Sequence, residues 1–274
     1  MNAARKSATE VTEALSVRIM GDAGPDVALL HGWGLGSGIW EPMTEVLASR
    51  CRVHVIDLPG YGASKTVARG HHNADNYLSL LAEMVVRCLP RGVTLAGWSL
   101  GGLIALATLA KNSKHVGKLA LIGSTPSFLE RPDWPHGVPA NMLDLFETAL
   151  NLTPGLLLKR FNAQINQGDK DAKALTKLTE KLTHQDTPDV EALKGGLKLL
   201  RNLDLRPILP KIHHPALIIH GEHDPLMKLA GAQAMQGMFP KARLEVFQGA
   251  SHIPFLSQPE HFALTLADFA GSAA

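Results

Sequence analysis

Short runs of aliphatic and β-branched residues, each stopped by glycine, proline or a polar side chain, recur along the chain. They are VALL at 27–30, RVHVIDL at 52–58, VTLAG at 93–97 and LALIGS at 119–124, then ALIIHG at 216–221 and RLEVF at 243–247. Runs that stay apolar at consecutive positions are those of strands buried on both faces. Helix-like stretches separate most of them, and this alternation predicts a mainly parallel sheet with helices on both faces. The rhythm breaks at 125–205, where a proline-punctuated stretch, TPSFLERPDWPHGVP, precedes helix-like segments at about 140–151, 154–166, 170–183 and 188–201. A helical insertion between two strands of such a sheet reads as a lid. The expected organisation is an α/β core over 15–124 and 206–274, a helical lid over 125–205, and a loose tail over 1–14.

The segment LAGWSLGG at 95–102 surrounds one serine, Ser99, with Gly97, Gly101 and Gly102, directly after an apolar run and directly before a good helix, GLIALATLAK. A glycine-rich linker is the plain reading. The context of G-x-S-x-G between strand and helix gives the sharper one, a nucleophile held on a strained turn. A serine hydroxyl needs a base. Of the 13 histidines, His252 is the best placed, in FQGASHIPF between the last apolar run and a helix starting near Pro259. An acid must fix that histidine's tautomer, and Asp224 in ALIIHGEHDPLM follows the preceding run, with Glu222 as a neighbouring competitor and a plain Asp-Pro turn as the alternative. Each of the three falls just beyond a strand's C-terminal end, where open α/β sheets place their sites.

The glycine-rich turn LLHGWGLGSGIW after the first run can aim backbone N–H groups into the same space. The expected oxyanion donors are the amides of Trp33 and Leu100. A phosphate-binding loop is the rival, but neither G-x-G-x-x-G nor G-x-x-x-x-G-K-[ST] spacing is present. His213, His214, His220 and His223 lack a matching ligand set, so neither a metal nor a cofactor is implied.

The landmarks HGWG at 31–34, DLPGYGAS at 57–64, GWSLGG at 97–102, GEHDP at 221–225 and GASHIPF at 249–255 span nearly the whole chain. Together they resemble the α/β-hydrolase family. The resemblance implies an α/β-hydrolase fold with a mostly parallel eight-stranded sheet, a helical lid inserted after strand six, and a catalytic triad of Ser99, Asp224 and His252. Further segments, DWPHGVP at 133–139, KRFNAQ at 159–164 and LKGGLKLLRNLDLR at 193–206, are similar to the carboxylesterases of biotin synthesis. Those enzymes remove the methyl ester from a pimeloyl chain carried on an acyl carrier protein. By that likeness Trp33, Ser99, Leu100 and His252 contact the substrate, together with the segment Phe161, Asn162, Ala163, Gln164 and Ile165. The same triad also serves short-chain carboxylesterases and C–C bond hydrolases, and a triad-like frame can persist in a non-catalytic binding protein. A dehalogenase carries aspartate at the elbow where this chain has Ser99.

Charge adds a partner. Lys170, Lys173, Lys177 and Lys181 are spaced to share one helix face while Leu175, Leu178 and Leu182 share another, and Lys159 and Arg160 precede them. Acyl carrier proteins are acidic, so this stripe is the candidate docking face, against the alternative of a merely solvated helix. Over 125–205 the basic residues number 10 and the acidic ones 11, so the stripe is a segregation of charge and not an excess. The whole chain carries a formal net charge of +2, which gives no general reason to expect nucleic acid or an anionic membrane. Two cysteines make no disulfide framework, and MNAARKSATEVTEALSVRIM has no continuous apolar stretch of the kind that opens a secretory signal. The expectation is a cytoplasmic protein, monomeric.

Overall fold

The computed structural model describes residues 14–64, 74–112, 114–183 and 187–273. Among them seven strands form one sheet: β1 (Val17–Met20), β2 (Asp26–Leu30), β3 (Arg52–Ile56), β4 (Val93–Trp98), β5 (Val116–Ile122), β6 (Ala216–Gly221) and β7 (Ala242–Phe247). Their order across the sheet is β1-β3-β2-β4-β5-β6-β7, antiparallel between β1 and β3 and parallel at the other five junctions. The six apolar runs are the six strands β2 to β7. All of β4 and β6 is buried, which is why their sequences do not alternate. β1 gave no such run because it is a four-residue edge strand with Arg18 and Ile19 exposed.

Eight strands with the insertion after the sixth were expected. The described residues form seven, and the insertion follows the fifth, β5, because no strand precedes β1 among them. The expected tail lies, but for Ala14, outside the described residues.

Helices α1 (Glu41–Ala48), α2 (Ala74–Cys88) and α3 (Leu100–Lys111) alternate with the first strands. The insertion supplies α4 (Ala140–Leu152), α5 (Pro154–Ile165), α6 (Ala172–Thr183) and α7 (Val190–Asn202), close to the four ranges read from the sequence. α6 starts two residues later than expected because Asp169 Oδ1 accepts the Asp171 amide at 2.9 Å, forming a turn ahead of the helix. α8 (Leu229–Met238), α9 (Pro254–Ser257) and α10 (Pro259–Gly271) complete the core. The end of α10 is tied to the sheet by Lys118 of β5, which donates to the Phe269 and Ala270 carbonyls at 2.8 and 2.9 Å and so satisfies last-turn acceptors that a helix cannot pair internally.

Pairing register sets the geometry of the site. Leu30 lies opposite Gly97, Trp98 opposite Ile122, Ile122 opposite Ile219 and Gly221 opposite Phe247. The C-terminal ends of β2, β4, β5, β6 and β7 therefore reach the same sheet edge. β2 and β4 are neighbours although β3 comes between them in sequence, so the order in which strands are added across the sheet reverses there and opens a crevice between their following loops. Cys51 and Cys88 are both free thiols. Among the described residues no helix is long and apolar enough to cross a membrane.

Candidate active site

Ser99 stands alone between β4 and α3 with φ 54° and ψ −117°, the only positive φ at a described residue other than glycine. Such a conformation costs on the order of 1–3 kcal/mol and persists only where its surroundings enforce it. Here the backbone is fixed by its own hydrogen bonds: the Ser99 amide donates to Ile122 O, its carbonyl accepts from the Gly102 amide, and Ser124 Oγ donates to the same carbonyl, each at 2.9 Å. The flanking glycines are there for closeness. A Cβ on Gly97 would lie 2.3 Å from Gly101 O, and one on Gly101 would lie 2.5 Å from Leu30 O. Ser124 had no signal in the sequence beyond its place after β5.

The structure pairs His252 with Asp224: Nδ1 lies 2.7 Å from Oδ2, and both side chains are fully buried. An ionised carboxylate only accepts, so the proton sits on Nδ1 and the lone pair on Nε2. Among the described residues Nε2 has no hydrogen-bond partner. The Leu226 and Met227 amides donate to Asp224 Oδ1 at 2.9 and 2.8 Å, and buried His220 lies 3.8 Å from Oδ2 while bonding Met227 O. Burial, the largest single influence, pushes the Asp224 carboxyl up. The charge and hydrogen bond of His252, the His220 ring and the Met227 amide together outweigh it and hold the group below the usual carboxylate range. Glu222, the competitor, is turned away and accepts the Gly249 amide at 2.9 Å.

Ser99 and the imidazole flank one turn. The Ser99 amide is bonded to Ile122, and the next residue, Gly123, faces His252, since a Cβ there would meet Nδ1 at 3.2 Å. Trp98 joins them from the strand: its Nε1 donates to His252 O at 2.9 Å while its ring packs on Phe255. Gly123 and Trp98 thus make room for the histidine and hold its backbone, roles that a linear pattern does not reveal.

Across the crevice, the Trp33 loop is built with equal care. His31 is fully buried, with Nδ1 donating to Gly32 O at 2.9 Å and Nε2 accepting the Leu58 amide at 3.0 Å, which fixes the neutral tautomer. Tyr61 OH accepts the Gly34 amide and its ring lies 4.6 Å from that of His31. Burial pushes the Tyr61 phenol up, so it stays protonated. Asp57 holds the next turn through the Ser37 and Ala63 amides. DLPGYGAS is therefore the brace of HGWG. Among the described residues neither the Trp33 nor the Leu100 amide is given to a protein acceptor. Leu100 opens α3, where the helix's positive end lies.

Ser99 opens on a narrow, apolar slot shared by Trp33, Phe128, Phe146, Phe161, Leu197 and Leu226, with further insert residues. Of the five-residue segment expected to contact substrate, only Phe161 lines it. Asn162 is buried and donates to Thr176 O within the insert, Ile165 is buried with its carbonyl on the His252 amide, and Ala163 and Gln164 face a solvent-open groove between α5 and α6. Helical periodicity spreads five consecutive residues around the axis, so one wall of a slot cannot use them all. Arg160 and Lys173 line that open groove, while Lys159, Lys170, Lys177 and Lys181 are exposed but do not line it.

α7 closes the slot by touching Trp33. Trp33 Nε1 donates to Leu193 O at 2.8 Å, and a Cβ on Gly196 would lie 2.5 Å from Trp33 Cδ1 and 3.1 Å from Leu100 Cδ2. Gly196→Ala improves intrinsic helix propensity by about 1 kcal/mol but must displace the indole. The expected result is about a tenfold fall in kcat/KM on a small ester with the fold retained. Unchanged kinetics would show that the Trp33 position is not critical.

A family model described as the alpha/beta hydrolase fold matches residues 25–259. The pimeloyl-[acyl-carrier protein] methyl ester esterase of Nitrosomonas europaea is 37% identical over 240 residues, covering 87% of this chain and 93% of that protein. The protein of the same name from Nitrosospira multiformis is 36% identical, covering 94% of this chain and 98% of its own length. In three dimensions an esterase from Exiguobacterium antarcticum superposes with a TM-score of 0.83 at 29% identity, covering 94% of this chain and 96% of the esterase. A bromoperoxidase from Bacillus anthracis reaches the same TM-score at 19% identity, covering 94% and 95% of the two chains, a likeness of fold alone. The strained serine turn and the strand order meet this match over most of the length, and the chain belongs to the α/β-hydrolase family.

Proposed function

We propose that the protein is a serine carboxylesterase that hydrolyses the methyl ester of a pimeloyl chain held on acyl carrier protein, the step that frees the pimeloyl carrier for biotin synthesis. The observation that carries the chemistry is the buried His252–Asp224 pair, whose Nε2 has no partner among the described residues, across the Ile122–Gly123 turn from a serine held at positive φ. The substrate rests on the relatives' names. The Nitrosospira match covers 94% of the chain, which leaves too few residues outside it to omit the insertion.

In this reading His252 Nε2 takes the Ser99 proton as Oγ attacks the ester carbonyl, and the Trp33 and Leu100 amides hold the oxyanion. Methanol departs with the proton from Nε2. Water, deprotonated by the same nitrogen, then cleaves the acyl-enzyme to the free acid and restores Ser99. The apolar slot suits a neutral methylene chain and its uncharged ester better than the carboxylate product, whose charge it would have to desolvate. Residues 125–205 act as the lid, and the protein works as a cytoplasmic monomer.

Carrier docking is assigned to Lys159, Arg160, Lys170, Lys173, Lys177 and Lys181. Their exposure and the groove shared by Arg160 and Lys173 support it. Reversing the charge of Arg160, Lys173 and Lys177 together is expected to lower kcat/KM for the carrier-bound methyl ester about tenfold or more, most strongly at low salt, while sparing a small soluble ester. Methanol release from both substrates measures this. Equal loss on both would remove the docking assignment.

A further inference from the structure

The loop between β7 and α9 that carries His252 has no helix or sheet ladder of its own, so its amides must find acceptors elsewhere. Two consecutive ones find them in the helical insertion. The Ser251 amide donates to Asp169 Oδ2 at 3.3 Å, and the His252 amide donates to Ile165 O at 3.2 Å. Ile165 O belongs to the last turn of α5, where carbonyls have no partner within the helix. Asp169 is 7% exposed, and its other oxygen is tied to the Asp171 amide, so the carboxylate is fixed from both sides. The same turn also presses on the segment bearing Asp224: a Cβ on Gly168 would lie 2.8 Å from His223 O.

We propose that Asp169 is a positioning residue for His252: the α5–α6 turn clamps the backbone of the histidine loop and thereby sets where Nε2 points. This rests on the reading of His252 as the general base. Asp169 touches neither substrate nor Ser99 in that reading and acts through two neighbouring amides.

The test uses the full chain with Asp169→Ala, Asp169→Asn and Asp169→Glu, assayed on a carrier-bound methyl ester and on p-nitrophenyl acetate. A small displacement of a catalytic group costs on the order of 10- to 100-fold in rate. Asp169→Ala is expected to lose about that much kcat on both substrates, with KM for the small ester within about twofold of wild type. The low-field proton resonance of His252 Nδ1–H should shift or broaden as well. Asp169→Asn keeps one acceptor oxygen, enough for the Ser251 amide or the Asp171 amide but not for both, and should recover part of kcat, falling between wild type and alanine. Should the alanine chain not fold, the other two carry the test, with asparagine partly active and glutamate, its carboxylate displaced by one methylene, low in kcat. Wild-type kcat in the alanine or glutamate variant, or a loss confined to KM for the carrier ester, overturns the proposal. A fully active His252→Ala chain would instead overturn the reading of the base on which it depends.

Discussion

Ser99→Ala is expected to lower kcat for ester hydrolysis by on the order of 10⁶-fold, leaving only what the oxyanion donors and binding supply over water. The fold should survive, because the bonds that hold the turn use the Ser99 amide and carbonyl and not its hydroxyl. Alanine at φ 54° inherits the same backbone strain as serine. Ser99→Gly should therefore be equally inactive but more stable, by about 1 kcal/mol, since glycine adopts that conformation freely. Thermal melts of the two variants against wild type read this difference. A serine tolerated at positive φ while glycine is more stable is the mark of a residue kept for chemistry. If Ser99→Gly melted lower than wild type, the strain argument would fail.

Asp224→Asn is the second large effect, a loss in kcat of about 10⁴-fold with Ser99 and His252 untouched. An asparagine can present N–H where the carboxylate presented an acceptor, so the imidazole turns to the tautomer whose proton lies on Nε2 and can no longer take one from serine. The Leu226 and Met227 amides can keep an acceptor in the asparagine carbonyl, so the turn itself should hold. Stability carries a pH signature as well. Because the Asp224 carboxyl is held below the usual carboxylate range, it binds protons more readily in the unfolded chain than in the folded one. Its contribution is complete above about pH 5 and is lost as pH falls through the lowered folded value. Melting temperatures of wild type should fall toward those of Asp224→Asn as the solution is acidified through that range. Curves that stay parallel would mean the carboxylate is not the stabilised species.

The strands, the insertion and the three candidate side chains were legible in the sequence for a common physical reason. Strands buried on both faces write continuous apolar runs, and a serine turn that needs close backbone approach writes glycines at fixed offsets. β1 was not legible because an exposed four-residue edge strand has no buried face to announce it. The supports of the site were hidden for a different reason: they are contacts between distant segments. Gly123 against His252, Tyr61 on the Gly34 amide, Trp98 on the His252 carbonyl and Gly196 against Trp33 join parts of the chain that only the folded register brings together. The substrate segment shows the limit of reading by neighbourhood. Phe161 to Ile165 are consecutive, yet the helix sends Phe161 to the slot, Ala163 and Gln164 to the open groove, and the Ile165 carbonyl to the histidine loop.

The most direct measurement is the intact mass of methyl pimeloyl-acyl carrier protein after incubation with wild type and with Ser99→Ala. Replacement of the ester methyl by hydrogen with wild type, and an unchanged carrier with the variant, is the predicted result. An unchanged carrier with wild type, alongside serine-dependent cleavage of a small ester, would contradict the carrier-bound substrate. Demethylation that survives in Ser99→Ala would contradict the serine mechanism itself.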